Sequence, residues 1–145
     1  MLKVGRANDE WELVALAQPQ PTKTITVLIA DDDAVARSIL AALIEREPTF
    51  ELAGVASDAD EAVEVAKDSR PDVAVLDWSM PAGGGPEAAR RIAKHSKRTR
   101  VVALSGFDRP EMAREMVAAG ASRVLAKGEP VWRIVGAIRA AASGA

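Results

Sequence analysis

The feature that most constrains this sequence is a series of five short apolar runs separated by segments of helical length. The runs are Ile25–Ala30, Phe50–Ala56, Val73–Leu76, Val101–Leu104 and Val124–Ala126. The segments between and after them are Val35–Glu45, Ala59–Lys67, Pro86–His95, Pro110–Ala119 and Pro130–Ala141. Nearly continuous apolar strands are typical of a parallel sheet that is covered by helices on both faces. The alternation therefore predicts an α/β fold of five βα units, a doubly wound sheet.

Composition excludes several classes of site. The chain has 145 residues, no Cys and a single His, His95. Disulfides, thiol catalysis and Cys-ligated zinc are thereby excluded, and a zinc site built from His ligands is disfavoured. No apolar run approaches the roughly 18 residues that a membrane-spanning helix needs. The first residues also lack the pattern of a signal peptide, so we expect a cytoplasmic protein.

The chain divides into an extension, one domain and a short tail. Residues 1–23 are predicted to form an N-terminal extension, in which Trp11, Val14 and Ala15 have helical spacing. The stretch Gln18–Pro21 is predicted to end that helix as a short linker. Residues 24–142 form the predicted domain, and residues 143–145 the tail.

Polar residues follow the apolar runs at the points where the predicted strands end. The first run is followed by Asp31, Asp32 and Asp33, and the third by Asp77. Ser105 and Lys127 follow the fourth and fifth runs. In a parallel sheet these positions meet at one edge.

These residue types suggest phosphoryl chemistry with a bound cation. Clustered carboxylates are hard oxygen ligands of the kind that hold Mg²⁺, which leaves coordination positions for a phosphoryl oxygen. Asp77 is the candidate nucleophile for an aspartyl phosphate. Lys127 is the candidate cation that neutralises one phosphoryl oxygen, and the Ser105 hydroxyl is the candidate donor to another. Asp33 is assigned as a helix cap.

The same residues resemble the receiver domain of two-component response regulators, over about residues 24–142. Asp31 and Asp32 match the paired acids of that family, and Asp77-Trp78-Ser79-Met80-Pro81 matches its phosphoacceptor motif, with Gly85 following. Ser105 matches its Ser/Thr position and Lys127 its lysine. The separations of 45 residues from Asp32 to Asp77, then 28 and 22, agree with the family. The resemblance implies a flavodoxin-like sheet of five strands in the order 2-1-3-4-5.

The resemblance also implies a function and a set of ligands. Asp77 would accept a phosphoryl group from the phosphohistidine of a sensor histidine kinase. Mg²⁺ would be held by Asp32, Asp77 and the backbone carbonyl of Ser79, with Asp31 acting through water. Such a domain is a signalling module rather than an enzyme, with at most slow autodephosphorylation. Its output would pass through protein contacts or homodimerisation, involving the last two helices.

Three positions depart from the family pattern. Receivers usually carry Tyr or Phe on the fifth strand, where this chain has Val124. Gly106 stands where Ala is usual, and Gly128 where Pro often follows the lysine. We therefore hypothesise that switching uses backbone shifts of residues 106–109 and of the helix after them.

Two alternative functions use the same residue types. An aspartate-nucleophile phosphatase of the haloacid-dehalogenase type also combines Asp, Ser/Thr, Lys and Mg²⁺, but its nucleophile comes first in the chain and its acid pair last. A scaffold that no longer accepts phosphate is favoured only by the missing aromatic residue. The chain would be either a stand-alone receiver or the receiver part of a longer regulator.

Two surface features remain open to more than one interpretation. Six basic residues fall between Arg90 and Arg100, but no aromatic residues are interleaved with them, so we do not expect this chain by itself to bind nucleic acid. Trp132 lies off the apolar stripe of the last helix. It is interpreted either as part of an interface or as a residue covered by the extension around Trp11.

Overall fold

The computed structural model describes residues 23–106 and 109–144, in which strands and helices alternate. The strands are β1 (Ile25–Ala30), β2 (Phe50–Ala56), β3 (Val73–Asp77), β4 (Arg100–Ser105) and β5 (Ala121–Ala126). The helices are α1 (Ala34–Arg46), α2 (Ala59–Ser69), α3 (Gly84–His95), α4 (Pro110–Ala118) and α5 (Val131–Ala142). All ten predicted elements are present, and most bounds lie within two residues of the prediction.

The strands form one parallel sheet in the order β2-β1-β3-β4-β5. Val27 pairs with Val73 across β1 and β3, and Asp77 pairs with Leu104 across β3 and β4. The predicted fold class and strand order are confirmed. Because the chain winds in opposite directions from the centre of the sheet, the carboxyl ends of β1 and β3 border the crevice where such folds place their sites.

Two apolar layers sandwich the sheet. One face is covered by α2, α3 and α4, whose buried residues include Val63, Ile92 and Met116. The other face is covered by α1 and α5, whose buried residues include Ile44 and Ile138. The central strands contribute side chains alternately to both layers, which explains why their sequences are apolar throughout.

The amino-terminal halves of α1 and α5 are less buried than their apolar spacing predicts. Val35 and Ile39 share helical spacing with Leu40, yet they are 68% and 62% exposed. Val131 shares helical spacing with the buried residues Ile134 and Ile138 of α5, yet it is 55% exposed. The apolar stripe of each helix is therefore wider than the surface that the sheet covers.

The start of α3 differs from its prediction for a conformational reason. The sequence predicts a start at Pro86, whereas the helix begins two residues earlier, at Gly84, and Pro86 lies in its first turn as predicted. Ala82, Gly83 and Gly84 all have positive φ, at 67°, 105° and 75°. A left-handed turn, which Gly adopts without steric cost, thus leads into the helix.

Aspartate side chains cap the starts of α1 and α2, and the cap of α1 agrees with the sequence analysis. The Asp33 side chain accepts hydrogen bonds from the backbone N–H groups of Val35 and Ala36, as predicted. Asp58 caps α2 by accepting from the N–H of Glu61. The predicted helix and linker in residues 1–22 lie outside the described residues. No helix in the described part of the chain is long and apolar enough to span a membrane.

Candidate functional site

The carboxyl edge of the sheet brings together the three predicted acids. Asp31 directly follows β1, Asp32 is the next residue, and Asp77 is the last residue of β3. One carboxylate oxygen of each lies within 4.8 Å of the others. Asp31 and Asp77 are buried, whereas Asp32 is exposed. The cluster can therefore offer an ion both buried and solvent-facing carboxylate oxygens.

Lys127 supplies the positive charge of this cluster. It directly follows β5, and its Nζ lies 2.8 Å from a carboxylate oxygen of Asp31 and 3.4 Å from one of Asp77. Its backbone N–H donates to the carbonyl of Ser105 at 2.7 Å. A cation between two buried carboxylates lowers the cost of removing them from water.

The backbone around Asp31 is also fixed by hydrogen bonds. The second carboxylate oxygen of Asp31 accepts from the N–H of Asp33 at 2.9 Å. The Arg37 guanidinium, one turn into α1, donates to the backbone carbonyl of Asp31 at 2.8 Å. These contacts hold the β1–α1 loop beside the acids. The sequence analysis did not identify Arg37. Its place in the first turn of α1 was the available signal, because helical side chains lean toward the N-terminus of the helix and so toward the preceding loop.

The close packing of these charged groups shifts the pKa values of Asp77 and Lys127. Burial, together with the neighbouring carboxylate of Asp31, raises the pKa of Asp77 to about 6, although Lys127 opposes the shift. Burial disfavours the charge of Lys127, but its contacts with Asp31 and Asp77 outweigh that effect and raise its pKa. Bringing a divalent cation to these acids would relieve the repulsion, so the residues fit Mg²⁺.

The loop after Asp77 packs closely against the start of α3. The N–H of Gly85 donates to the carbonyl of Trp78 at 2.9 Å. A Cβ at Gly84 would lie 2.7 Å from that same carbonyl oxygen, a distance that real Cβ atoms do not adopt. Glycine at these positions therefore allows the phosphoacceptor loop of the predicted motif to lie against α3.

A pocket of about 320 Å³ opens beside the acids. It is lined by Asp77, Trp78, Ser79, Gly106, Arg109, Met112 and Lys127. Ser79 belongs to the predicted ligand set, and the ligand role of its backbone carbonyl stays a prediction. Arg109 was not predicted as a site residue, although it follows the fourth strand by only four positions and so belongs to the same edge.

Ser105 is placed at the right strand end but does not line this pocket. It is the buried last residue of β4, and its hydroxyl donates to the Met112 sulfur at 3.7 Å. It lines instead a smaller neighbouring pocket of about 160 Å³, together with Val124 and Ala113. The structure therefore groups Asp31, Asp32, Asp77 and Lys127 and places the Ser105 hydroxyl on the flank of α4.

Comparison with known proteins agrees with this arrangement. The family model of the response regulator receiver domain matches residues 27–139. The chain belongs to the response regulator receiver family. Receiver domains of this family are phosphorylation-controlled signalling modules, and membership separates the chain from the phosphatase class considered above.

Two transcriptional regulatory proteins are similar to this chain in sequence. The chain is 35% identical over 120 residues to the transcriptional regulatory protein LiaR of Bacillus subtilis, covering 83% of this chain and 57% of LiaR. It is 38% identical over 118 residues to the transcriptional regulatory protein PdtaR of Mycobacterium tuberculosis, covering 81% and 56%. The chain thus spans little more than half the length of these relatives.

The fold match is also close in three dimensions. The response regulator domain of CheB from Thermotoga maritima superimposes with a TM-score of 0.77 at 30% identity, over 83% of this chain and 98% of that domain. The match therefore spans nearly the whole of that CheB domain.

Proposed function

We propose that Asp77 accepts a phosphoryl group from the phosphohistidine of a sensor histidine kinase in the cytoplasm. The observation that supports this most is the position of Asp77 at the end of β3, within a cluster of three carboxylates and 3.4 Å from the Lys127 ammonium. Family membership supports the reaction class, and the pocket beside Asp77 supplies the space.

The proposed step is a transfer from nitrogen to oxygen. A carboxylate oxygen of Asp77 attacks phosphorus, the P–N bond of the donor breaks, and the imidazole nitrogen keeps the electron pair. Lys127 offsets the negative charge of one phosphoryl oxygen, which requires its ammonium to move from Asp31 toward the phosphorylated side chain. The Ser105 hydroxyl donates to another oxygen once it leaves the Met112 sulfur.

Mg²⁺ would be held by Asp32 and Asp77 directly, by Asp31 through water and by the Ser79 backbone carbonyl. When bound, the ion supplies a Lewis acid that offsets the charge on a phosphoryl oxygen. The fit rests on the oxygen-only ligands and on the raised pKa of Asp77.

The output is proposed to pass through protein contacts or dimerisation. Three of the six basic residues near α3 are paired with acids: Arg90 with Glu87, Arg91 with Asp60, and Arg98 with Asp72. These pairings favour structural roles over phosphate contacts with nucleic acid.

The test is intact-mass spectrometry after incubation with Mg²⁺ and phosphoramidate, a small donor whose P–N bond resembles that of phosphohistidine. We expect the wild-type chain to gain the mass of one phosphoryl group and Asp77→Asn to gain none. Asp33→Asn is the matched control, because Asn also caps helices and Asp33 lies outside the acid cluster. An adduct of equal yield in Asp77→Asn, or no adduct in the wild type, would contradict the proposal and favour a scaffold.

A further inference from the structure

An open groove of about 490 Å³ lies between α1 and α5, on the face of the sheet that these two helices cover. Its walls are mainly aliphatic and include Ile39, Leu40 and Leu43 of α1 and Val131 and Ile134 of α5. This groove is separate from the pocket beside Asp77, although Lys127 borders both.

Apolar surface continues from the groove onto both helices. Ile39 and Val131 line it and are 62% and 55% exposed. Val35 and Trp132, in the first turns of α1 and α5, are 68% and 71% exposed. Exposed apolar side chains in and near an apolar groove are typical of a docking site.

The chain itself brings a candidate occupant to this face. Ile25, at the start of β1, packs against the same core layer as α1 and α5. The segment of residues 1–22 is therefore attached at the base of the groove face. Its residues 11–16 include four large apolar side chains, those of Trp11, Leu13, Val14 and Leu16.

Length and charge are compatible with this occupant. The five residues from Gln18 to Thr22 can span roughly 17 Å when extended, enough to lead part-way up the sheet. The acids Asp9, Glu10 and Glu12 flank Trp11 in sequence, and the groove is lined by two basic residues, Arg46 and Lys127, and one acid, Glu129. A tether this short also gives the segment an effective concentration in the millimolar range, above that of a separate partner.

We propose that the segment around Trp11 packs into the α1–α5 groove of its own chain. A second copy of the chain or another protein would then compete with this segment for the same face. The proposal does not depend on phosphorylation of Asp77, and its test needs no phosphoryl donor.

The test uses the absence of Cys from the chain, which allows a nitroxide label at one chosen position. Arg133→Cys places the label on the first turn of α5, at the far end of the groove face from the start of β1. We expect the amide NMR signals of residues 9–16 to lose most of their intensity, because docking brings them near α5. Adding Trp11→Ala to the labelled chain should restore that intensity.

The control label is Lys94→Cys, in the last turn of α3 on the opposite face of the sheet. Since α3 runs antiparallel to the strands, this position lies at the same edge of the sheet as the start of β1. An undocked segment would therefore approach the label at position 94 at least as often as the label at position 133. Equal broadening from both labels, or none from position 133, would overturn the proposal. Broadening that appears only when a spin-labelled chain is mixed with an isotope-labelled unmodified chain would instead identify a second copy as the occupant.

Discussion

Gly85 lies so close to Asp77 that a Cβ at position 85 would stand 2.6 Å from the Asp77 carbonyl oxygen. The same Cβ would be 3.1 Å from the Cα of Trp78. Both neighbours are backbone atoms, which cannot rotate away as the end of a side chain can. The approach of α3 to the end of β3 thus depends on the missing side chain at this position.

Gly85→Ala is therefore expected to lower the free energy of unfolding by about 1–3 kcal/mol, the usual cost of overpacking. Urea denaturation followed by circular dichroism measures this change. Gly128→Ala is the matched control, because no atom lies within 4 Å of a Cβ there. Equal stability of the two variants would show that the β3–α3 loop moves freely, contrary to this account.

Asp77→Asn is expected to stabilise the chain at pH 7.5 in the absence of divalent cations. The pKa of Asp77 is raised to about 6 by burial and by Asp31, from an ordinary value of 3.8. The folded state therefore binds more protons than the unfolded state between these values, and wild-type stability falls as the pH rises through them. Discounted for solvent screening, the gain on substitution is about 1–2 kcal/mol.

This gain should shrink as the pH falls from about 6 toward 4, because the wild-type carboxyl group becomes neutral in the folded state. Urea denaturation at several pH values, with a chelator present, measures the difference between the two chains. A difference that stays constant over this range would mean that the pKa of Asp77 is not raised.

Met112→Leu tests whether the hydrogen bond to the Met112 sulfur competes with donation by the Ser105 hydroxyl to a phosphoryl oxygen. Leucine has nearly the volume of methionine but cannot accept the hydrogen bond that Ser105 donates to the Met112 sulfur. If that bond contributes about 0.5–1 kcal/mol, its loss should increase the rate of phosphorylation by phosphoramidate about two- to fivefold. Stopped reactions analysed by mass spectrometry give the rate. Met116→Leu, one turn further along α4 and also buried, should leave the rate unchanged; a similar increase there would assign the effect to packing.

Asp72→Ala is expected to destabilise the amino edge of the sheet. The Asp72 carboxylate accepts from the Thr26 N–H at 2.9 Å and from the Thr26 hydroxyl at 3.1 Å, and it pairs with Arg98. Burial opposes its charge, but these donors outweigh burial and lower the pKa of Asp72. At pH 7 the free energy of unfolding should fall by about 1–3 kcal/mol.

The contribution of Asp72 to stability changes with pH in the opposite direction to that of Asp77. A lowered carboxyl pKa contributes stability above the ordinary value of 3.8, and this contribution is lost as the pH falls further. The difference between wild type and Asp72→Ala should therefore narrow in acid. The exposed residue Asp68, replaced by Ala, should change stability by less than about 0.5 kcal/mol, and a larger effect would point to general charge loss.

The fold and the acid cluster could be predicted because each depended on local pattern. A strand buried on both faces must be apolar throughout, so Val73–Leu76 and Val101–Leu104 are recognisable without any partner. Topology then places whatever follows each strand at one edge. Asp31, Asp77 and Lys127 therefore meet even though up to 50 residues separate neighbours in that set.

Features set by rotamers and by helix-to-helix spacing could not be predicted in this way. Periodicity identified the apolar side of α1 but neither the groove that Ile39 lines nor the exposure of Val35. The hydroxyl of Ser105 can rotate toward either the acids or α4, and sequence does not determine which. The left-handed turn through Ala82 likewise has no residue signature before the glycines that follow it.

The ion pair between Lys127 and Asp31 lies a few residues before the first turn of α5. Only Gly128, Glu129 and Pro130 separate the lysine from the first residue of α5, and the N–H of Glu129 is bonded back to Ala126. So short a connection leaves Lys127 and the first turn of α5 little freedom to move apart. Lys127 and Val131 therefore belong to one tightly held segment, which borders the acid cluster through the lysine and the groove between α1 and α5 through both residues.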